Sequence, residues 1–237
     1  MEPLIIIAGP TAVGKSELAV RVAKKYGGSI ISCDSMQVYK GMDIGTAKIK
    51  SDEREGIPHY LLDVLDPSED FNIVLFKQMA TKAIEEIRLA GRIPIMVGGT
   101  GFYIQSVLYD IDFDECIDDP DYRHSLWALI DEKGDEHVHK MLEDIDPVAA
   151  SSISVKDHKR IVRALEYNHQ TGGLISEHNE ENRARTSRYD HCFFVLTDER
   201  SRIYDRINSR VDRMIEDGLV DEVRTLLAGG LGRTNIS

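Results

Sequence analysis

The sequence predicts an α/β fold, a parallel sheet flanked by helices, with a helical insertion in its second half. Three observations carry that expectation. The run Leu4 to Ala8 is short and continuously apolar, as a strand buried on both faces must be. Helical patterns lie between it and a similar run at Ile93 to Val97, and strands alternating with helices make a parallel sheet. From about residue 109 to 189 the pattern turns polar and helical.

Taken in order, the strand Leu4 to Ala8 leads through a glycine loop into a helix from about Lys15 to Tyr26, and Ser29 to Ser32 is a second strand. A helix over Asn72 to Leu89 follows from apolar residues at Ile73, Phe76, Ala80, Ile84 and Ile87, and Gly91 closes it. It feeds the strand Ile93 to Val97. The insertion holds candidate helices at Tyr122 to Glu132, Asp135 to Glu143 and Val155 to Gln170. A strand at Cys192 to Leu196 returns to the sheet, and helices at Ser201 to Asp217 and Val220 to Leu227 pack on it. The expected division is a core of residues 1–108 and 190–237 around an insertion of residues 109–189.

Composition narrows the class. With 237 residues, 42% of them hydrophobic, the chain can build a sizeable core. No apolar run approaches the roughly 18 residues of a membrane span, and no signal peptide precedes Leu4, so the expected location is the cytoplasm. Cys33, Cys116 and Cys192 are scattered and odd in number, which points neither to a disulfide framework nor to a zinc site. The net charge of -12 argues at first against a nucleic-acid partner. Residues 101–150, however, hold 14 acidic side chains against Arg123, Lys133 and Lys140, so the acidity belongs mostly to one stretch.

The chemistry begins at Gly9-Pro10-Thr11-Ala12-Val13-Gly14-Lys15-Ser16, which fits GxxxxGK[ST], the pattern of nucleotide-binding and ATP-binding P-loops, between a strand and a helix. The expected fold is therefore P-loop NTPase-like. Backbone N–H groups and the helix N-terminus surround a polyphosphate, Lys15 adds charge, and the Ser16 hydroxyl binds Mg²⁺. The motif names a ligand, not a reaction. The strand Ile93 to Val97 runs into Gly98-Gly99-Thr100-Gly101 rather than into the acid an NTPase of the Walker-B type presents, and no DxxG or NKxD motif follows. Asp34 instead ends the second strand, at the sheet edge where α/β folds bind ligands, and is the leading candidate base. An N-cap or turn role is the competing reading of the same residue.

These segments together resemble one family, the tRNA dimethylallyltransferases or tRNA isopentenyltransferases. They are GPTAVGKS from Gly9, ISCDSMQVYKGMDIGTAK from Ile31, PHYLLDVLDPSEDF from Pro58, GRIPIMVGGTGFY from Gly91, DPVAA from Asp146, KRIVRALE from Lys159 and DRINSRVDRMIEDGLVDEV from Asp205. The resemblance implies that dimethylallyl diphosphate, not ATP, sits on Gly9 to Ser16, with Mg²⁺ as cofactor. It implies that N6 of an adenine, A37 in the anticodon loop of tRNA, attacks the allylic carbon and that diphosphate leaves. Asp34 corresponds to the general base, and Thr100 to a residue contacting the adenine nucleotide. Arg210, with Arg206 a turn earlier, corresponds to the arginine that neutralises the leaving group. Asp34, Ser35, Met36 and Gln37 match tRNA-contacting positions, as do Thr100, Arg123, Lys159, Arg160 and Arg163. The insertion is then a tRNA-contacting domain, and the expected enzyme is a monomer without a membrane partner. Lys156, Lys159, Arg160 and Arg163 form a basic stripe opposite Ile161, Val162 and Leu165 on the expected helix.

Two departures stand out. Lys159 falls where many bacterial members carry Gln. The chain stops at Ser237, where the family continues through a GYKE-type segment and basic helices, so the expectation is a partial chain of lowered tRNA affinity. Three other readings use the same residues: an adenylate isopentenyltransferase acting on free AMP, ADP or ATP, a P-loop small-molecule kinase, and an inactive nucleic-acid-binding module.

Overall fold

The computed structural model describes residues 2–111 and 119–232. Cys116, the rest of the acidic run 112–118 and the last five positions lie outside the described residues. From the N-terminus come β1 (Glu2–Ala8), α1 (Lys15–Tyr26), β2 (Gly28–Ser32), β3 (His59–Tyr60), α2 (Ile73–Leu89), β4 (Ile93–Gly98) and α3 (Gly101–Leu108). Then follow α4 (Pro120–Lys133), α5 (Asp135–Ile145), α6 (Pro147–Ser152), α7 (His158–Thr171) and α8 (Ile175–Ala184). The last elements are β5 (Tyr189–Val195), α9 (Arg200–Glu216) and α10 (Leu219–Ala228). Two compact units result, Met1–Asp110 with Ser187–Ser237, and Ile111–Thr186.

The first unit is built on a five-stranded parallel sheet in the order β3-β2-β4-β1-β5. Because side chains alternate along a strand, each buried strand serves two cores. Leu4, Ile6, Ile31 and Met96 face one side, where Phe76, Ala80, Ile84 and Ile87 of α2 and Ile104, Val107 and Leu108 of α3 cover them. Ile7, Ile30, Ile95 and Val97 face the other, against Ala19, Val20 and Ala23 of α1. On the α2 side Phe76 stacks on Tyr103 with centroids 4.3 Å apart, and Phe71 meets both rings edge-on. The fold is the expected one, with β3 and α3 added to the elements read from the sequence.

In the second unit Leu126, Val138, Leu142, Ile161, Val162 and Leu165 form one core between α4, α5 and α7. Aspartates start three of its helices. Asp119, Asp146 and Asp157 accept hydrogen bonds from Tyr122 N, Ala149 N and Arg160 N at the N-termini of α4, α6 and α7. Proline follows the cap in α4 and α6, where its missing N–H costs nothing. α6 and α8 were not expected from the sequence. The start of α7 at His158 is a correction, since Lys156 precedes the Asp157 cap and is not helical. Among the described residues no helix is long and apolar enough to cross a membrane.

Candidate active site

The sheet order places the C-terminal ends of β2, β4 and β1 side by side. Three loops leave these ends, residues 9–14, 33–39 and 99–100, and each carries expected site residues. Their close approach depends on glycine. A Cβ on Gly98 would lie 2.2 Å from the Cys33 carbonyl oxygen, and one on Gly9 2.5 Å from the Leu196 carbonyl oxygen. Cys33 N donates to Val97 O at 2.8 Å, which continues the β2–β4 ladder to the turn where Asp34 begins. The Cys33 thiol is buried and pushed well up by that burial, so this motif cysteine is a packing residue here.

The loop after β1 has the conformation its sequence demands. Gly9 and Gly14 take φ of 144° and 92°, and Gly14 caps α1 in the left-handed region without a side-chain bond. The first N–H groups of α1 therefore face an incoming anion together with the positive end of the helix dipole. Lys15 curls back across the loop, its ammonium donating to Gly9 O at 2.9 Å and Pro10 O at 2.7 Å. Partial burial holds this ammonium below the usual lysine value; Asp34 pulls it back up and Arg210 pushes it further down. Arg210 is half-buried on α9 and is likewise lowered by burial, with Asp34 opposing. Asp34 is thus electrostatically coupled to both cations, although it lies 19 residues from one and 176 from the other along the chain. Arg206 approaches the loop from the same helix, donating to Ala12 O at 3.4 Å and pairing with Asp198 at 2.5 Å.

Asp34 also makes a turn. Its Oδ1 accepts from Met36 N at 2.9 Å and Gln37 N at 3.4 Å, so the turn reading and the base reading are compatible, one oxygen serving each. Gln37 is fixed from both ends, Ser32 Oγ donating to its Oε1 at 3.1 Å and its Nε2 donating to Thr46 O at 3.2 Å. Thr100 is the residue before α3, and its carbonyl accepts from Tyr103 N at 3.1 Å. Ser35 and Met36 are half-buried.

Sequence reasoning overlooked Lys48. Its side chain is 2% exposed, and its ammonium donates to Tyr39 O at 2.7 Å, Asp43 Oδ1 at 2.7 Å and Asp63 Oδ1 at 2.5 Å. Three acceptors match the three protons of a buried ammonium, which ties down the segment after Gln37. A lysine in a polar run gives no such signal.

A magnesium ion suits the donor set. Among the described residues there is no cluster of three or more His, Cys, Asp or Glu that could hold a metal. The Ser16 hydroxyl stands exposed at the first turn of α1, and Mg²⁺ commonly binds through one such ligand, substrate phosphates and water.

In the second unit, Lys159, Arg160 and Arg163 are exposed along α7 while Ile161, Val162 and Leu165 are buried. Arg160 pairs loosely with Asp157 at 3.4 Å. Arg123 is held by Glu166 of α7 at 2.6 Å, an ion-pair role the sequence did not suggest.

A glycine-bearing loop between β1 and α1, with a carboxylate and arginines around it, defines a P-loop α/β enzyme. An IPP transferase family model matches residues 37–236, and an isopentenyl transferase model matches residues 2–70. The tRNA dimethylallyltransferase of Lachnoclostridium phytofermentans is 51% identical over 237 residues, all of this chain and 76% of that protein. That of Carboxydothermus hydrogenoformans is 52% identical over 229 residues, 97% of this chain and 74% of that protein. The full-length tRNA isopentenylpyrophosphate transferase from Bacillus halodurans has a similar structure, with a TM-score of 0.69 and 44% identity over 98% of this chain and 72% of that one. A eukaryotic dimethylallyltransferase acting on tRNA gives a TM-score of 0.83 and 33% identity over 96% of this chain and 56% of that one. The chain belongs to the tRNA dimethylallyltransferase, or IPP transferase, family.

Proposed function

We propose that this chain transfers a dimethylallyl group from dimethylallyl diphosphate to N6 of adenine in tRNA, at A37 of the anticodon loop, releasing diphosphate. The observation that carries this reading is geometric: the Gly9 to Ser16 loop, the Asp34 turn and the Gly98 to Thr100 loop leave adjacent strand ends, and Arg206 of α9 binds the Ala12 carbonyl. N-alkylation of an adenine amine needs both a base and strong leaving-group stabilisation, and Asp34 with Lys15 and Arg210 can supply them.

The N–H groups of Gly14 to Ser16 and the Lys15 ammonium hold the diphosphate. The N6 lone pair forms the new C–N bond as the allylic C–O bond breaks, and the bonding electrons leave on the diphosphate oxygen. Lys15 and Arg210 offset that growing negative charge, an effect strongest in the transition state. The amine becomes acidic only as it bonds to carbon, and Asp34 Oδ2 takes its proton then. Bound with the diphosphate, Mg²⁺ would add charge neutralisation at the leaving group, with Ser16 as its protein ligand.

A base stacked in a loop cannot reach such a site, so the adenine must be splayed out. The exposed Lys159, Arg160 and Arg163 are suited to the tRNA backbone, and the Ser35 to Gln37 turn and Thr100 to the adenosine. We place the enzyme in the cytoplasm as a monomer. Incubation with Mg²⁺, dimethylallyl diphosphate and unmodified tRNA, followed by mass spectrometry of the nucleosides, tests the reading. Prenylated adenosine from tRNA supports it; product from AMP or ATP alone, or ATP consumption with no prenylated product, overturns it.

A further inference from the structure

α9 and α10 contain no buried residue, so packing alone does not hold them. Polar contacts do, and one is unusual in form. Both carboxylate oxygens of Glu222 on α10 are used by three consecutive backbone amides: Oε2 accepts from Asp43 N at 2.8 Å and Ile44 N at 2.7 Å, and Oε1 from Gly45 N at 2.9 Å. Successive N–H groups turned to one point form an anion nest, and a carboxylate that fills it makes charge-assisted bonds, about twice as strong as neutral ones. Space at Gly45 is tight. A Cβ there would lie 3.1 Å from Leu219 Cδ1 and 3.4 Å from Glu222 Oε1. Lys50 and Asp217 add a 3.5 Å pair at the same corner.

The nest is joined to the adenine-facing turn. Thr46 follows it directly, its hydroxyl donating to Met42 O at 2.6 Å and its carbonyl accepting from Gln37 Nε2. Gln37 N in turn donates to Asp34 Oδ1. Lys48 closes the far side by binding Asp43 and Tyr39 O. Hydrogen bonds, joined by the backbone step from Gly45 to Thr46, thus connect Glu222 to the carboxylate assigned as base, across 188 residues of sequence. The helix preceding α10 carries Arg206 and Arg210, so one helical pair attaches to the phosphate loop through Arg206 and to the 43–45 nest through Glu222.

We propose that Glu222 is a positioning residue for prenyl transfer: by filling the 43–45 nest it fixes Gln37 and hence the orientation of Asp34 toward the adenine. It touches no substrate and acts through the loop. The kinetic part of this proposal rests on the prenyl-transfer reading; the structural part does not.

The test uses the whole chain with Glu222→Ala, Glu222→Gln and, as an independent break at the same corner, Gly45→Ala. Amide hydrogen exchange is followed by mass spectrometry over residues 34–48. In Glu222→Ala the amides of Met36 and Gln37 are expected to exchange roughly tenfold faster, together with those of Asp43 to Gly45, while the sheet is unchanged. In transfer assays kcat is expected to fall roughly tenfold, with KM for dimethylallyl diphosphate within twofold, because the phosphate loop is not displaced. Glu222→Gln, which loses the charge and keeps only one of the two acceptor oxygens, should fall between the unaltered chain and Glu222→Ala. Combined with Gln37→Ala, Glu222→Ala should cost little beyond the larger single effect. Faster exchange confined to residues 43–45, additive losses with Gln37→Ala, or parallel losses in donor KM and melting temperature would overturn the proposal. If the unaltered chain transfers no prenyl group the transfer reading fails, and the exchange at Met36 and Gln37 still decides this one.

Discussion

The Arg123 guanidinium donates to the Glu166 carboxylate at 2.6 Å, and only one of the two meets water, the side chains being 42% and 3% exposed. Removing the arginine takes this partner from a glutamate buried inside the helical unit. Arg123→Ala is therefore expected to destabilise that unit by about 1–3 kcal/mol, and the double variant Arg123→Ala with Glu166→Gln by less. Differential scanning calorimetry checks both. A loss of tRNA binding in Arg123→Ala with an unchanged melting profile would instead assign the arginine to tRNA contact alone.

Lys159 and Arg163 should separate from Arg123 in the same assays. They are exposed, so Lys159→Ala and Arg163→Ala should leave stability within about 0.5 kcal/mol. Each is expected to weaken tRNA binding and to lower the slope of log K against log salt by about one. Titrations at several salt concentrations read this directly.

Asp34→Asn is the informative change at the base position. The amide oxygen still accepts from Met36 N, so the turn survives while the charge is lost. The expected result is a kcat lower by roughly 10²- to 10⁴-fold, with diphosphate affinity retained. Lys15→Ala and Arg210→Ala should act on the other substrate, each weakening donor binding by about 1.5–3 kcal/mol. Equal losses of diphosphate affinity in all three variants would contradict the separate roles.

The lowered Lys15 value gives diphosphate affinity a defined pH dependence. A bound anion favours the charged ammonium, so affinity is full below the free-protein value and falls as pH rises through it. That decline should begin below 10.5, the ordinary lysine value, because burial has lowered the group. Calorimetric titration of a diphosphate monoester, dimethylallyl diphosphate, above pH 8, where that ligand is fully ionised, should show it, and Lys15→Arg should move the decline upward.

Asp146 makes acid stability a property of the helical unit. Burial pushes its carboxyl up, but the amides of Ala149 and Ser176, each at 2.9 Å, outweigh that and hold it below the ordinary value. A depressed carboxylate contributes stability that is present above its unfolded value and is lost as pH falls through the folded one. Unfolding followed from pH 6 to 2 should show that loss below about pH 4, the unfolded carboxylate range. Asp146→Asn should flatten this segment of the curve.

What the sequence made legible was whatever has a period or a fixed spacing. Leu4 to Ala8, Ile93 to Val97 and the 3.6-residue rhythm of Phe76, Ala80, Ile84 and Ile87 marked the sheet and its cover, and GxxxxGK[ST] marked the loop. α3 was hidden because Tyr103, Ile104, Ser106, Val107 and Leu108 are all buried, which erases an amphipathic pattern. α8 was hidden for the opposite reason, having no buried residue. β3 is two residues long and exists through its pairing with Ile30 and Ile31. Lys48 and Glu222 share a further difficulty. Each is an ordinary charged residue locally, and only the fold brings Asp63 to one and the 43–45 amides to the other.

The strand order has a consequence for synthesis. β1 is made before the other strands of its sheet, yet it lies between β4 and β5, and its partner Tyr189 to Val195 follows the whole 111–186 segment. At ~5–20 residues per second the ribosome delivers β4 several seconds before β5. For that interval the nascent sheet ends at β1, and the row of backbone groups from Glu2 to Ala8 awaits a strand still inside the translation machinery. The helical unit, with its own core, can condense during this delay, shortening the free chain that must later be closed when β5 arrives.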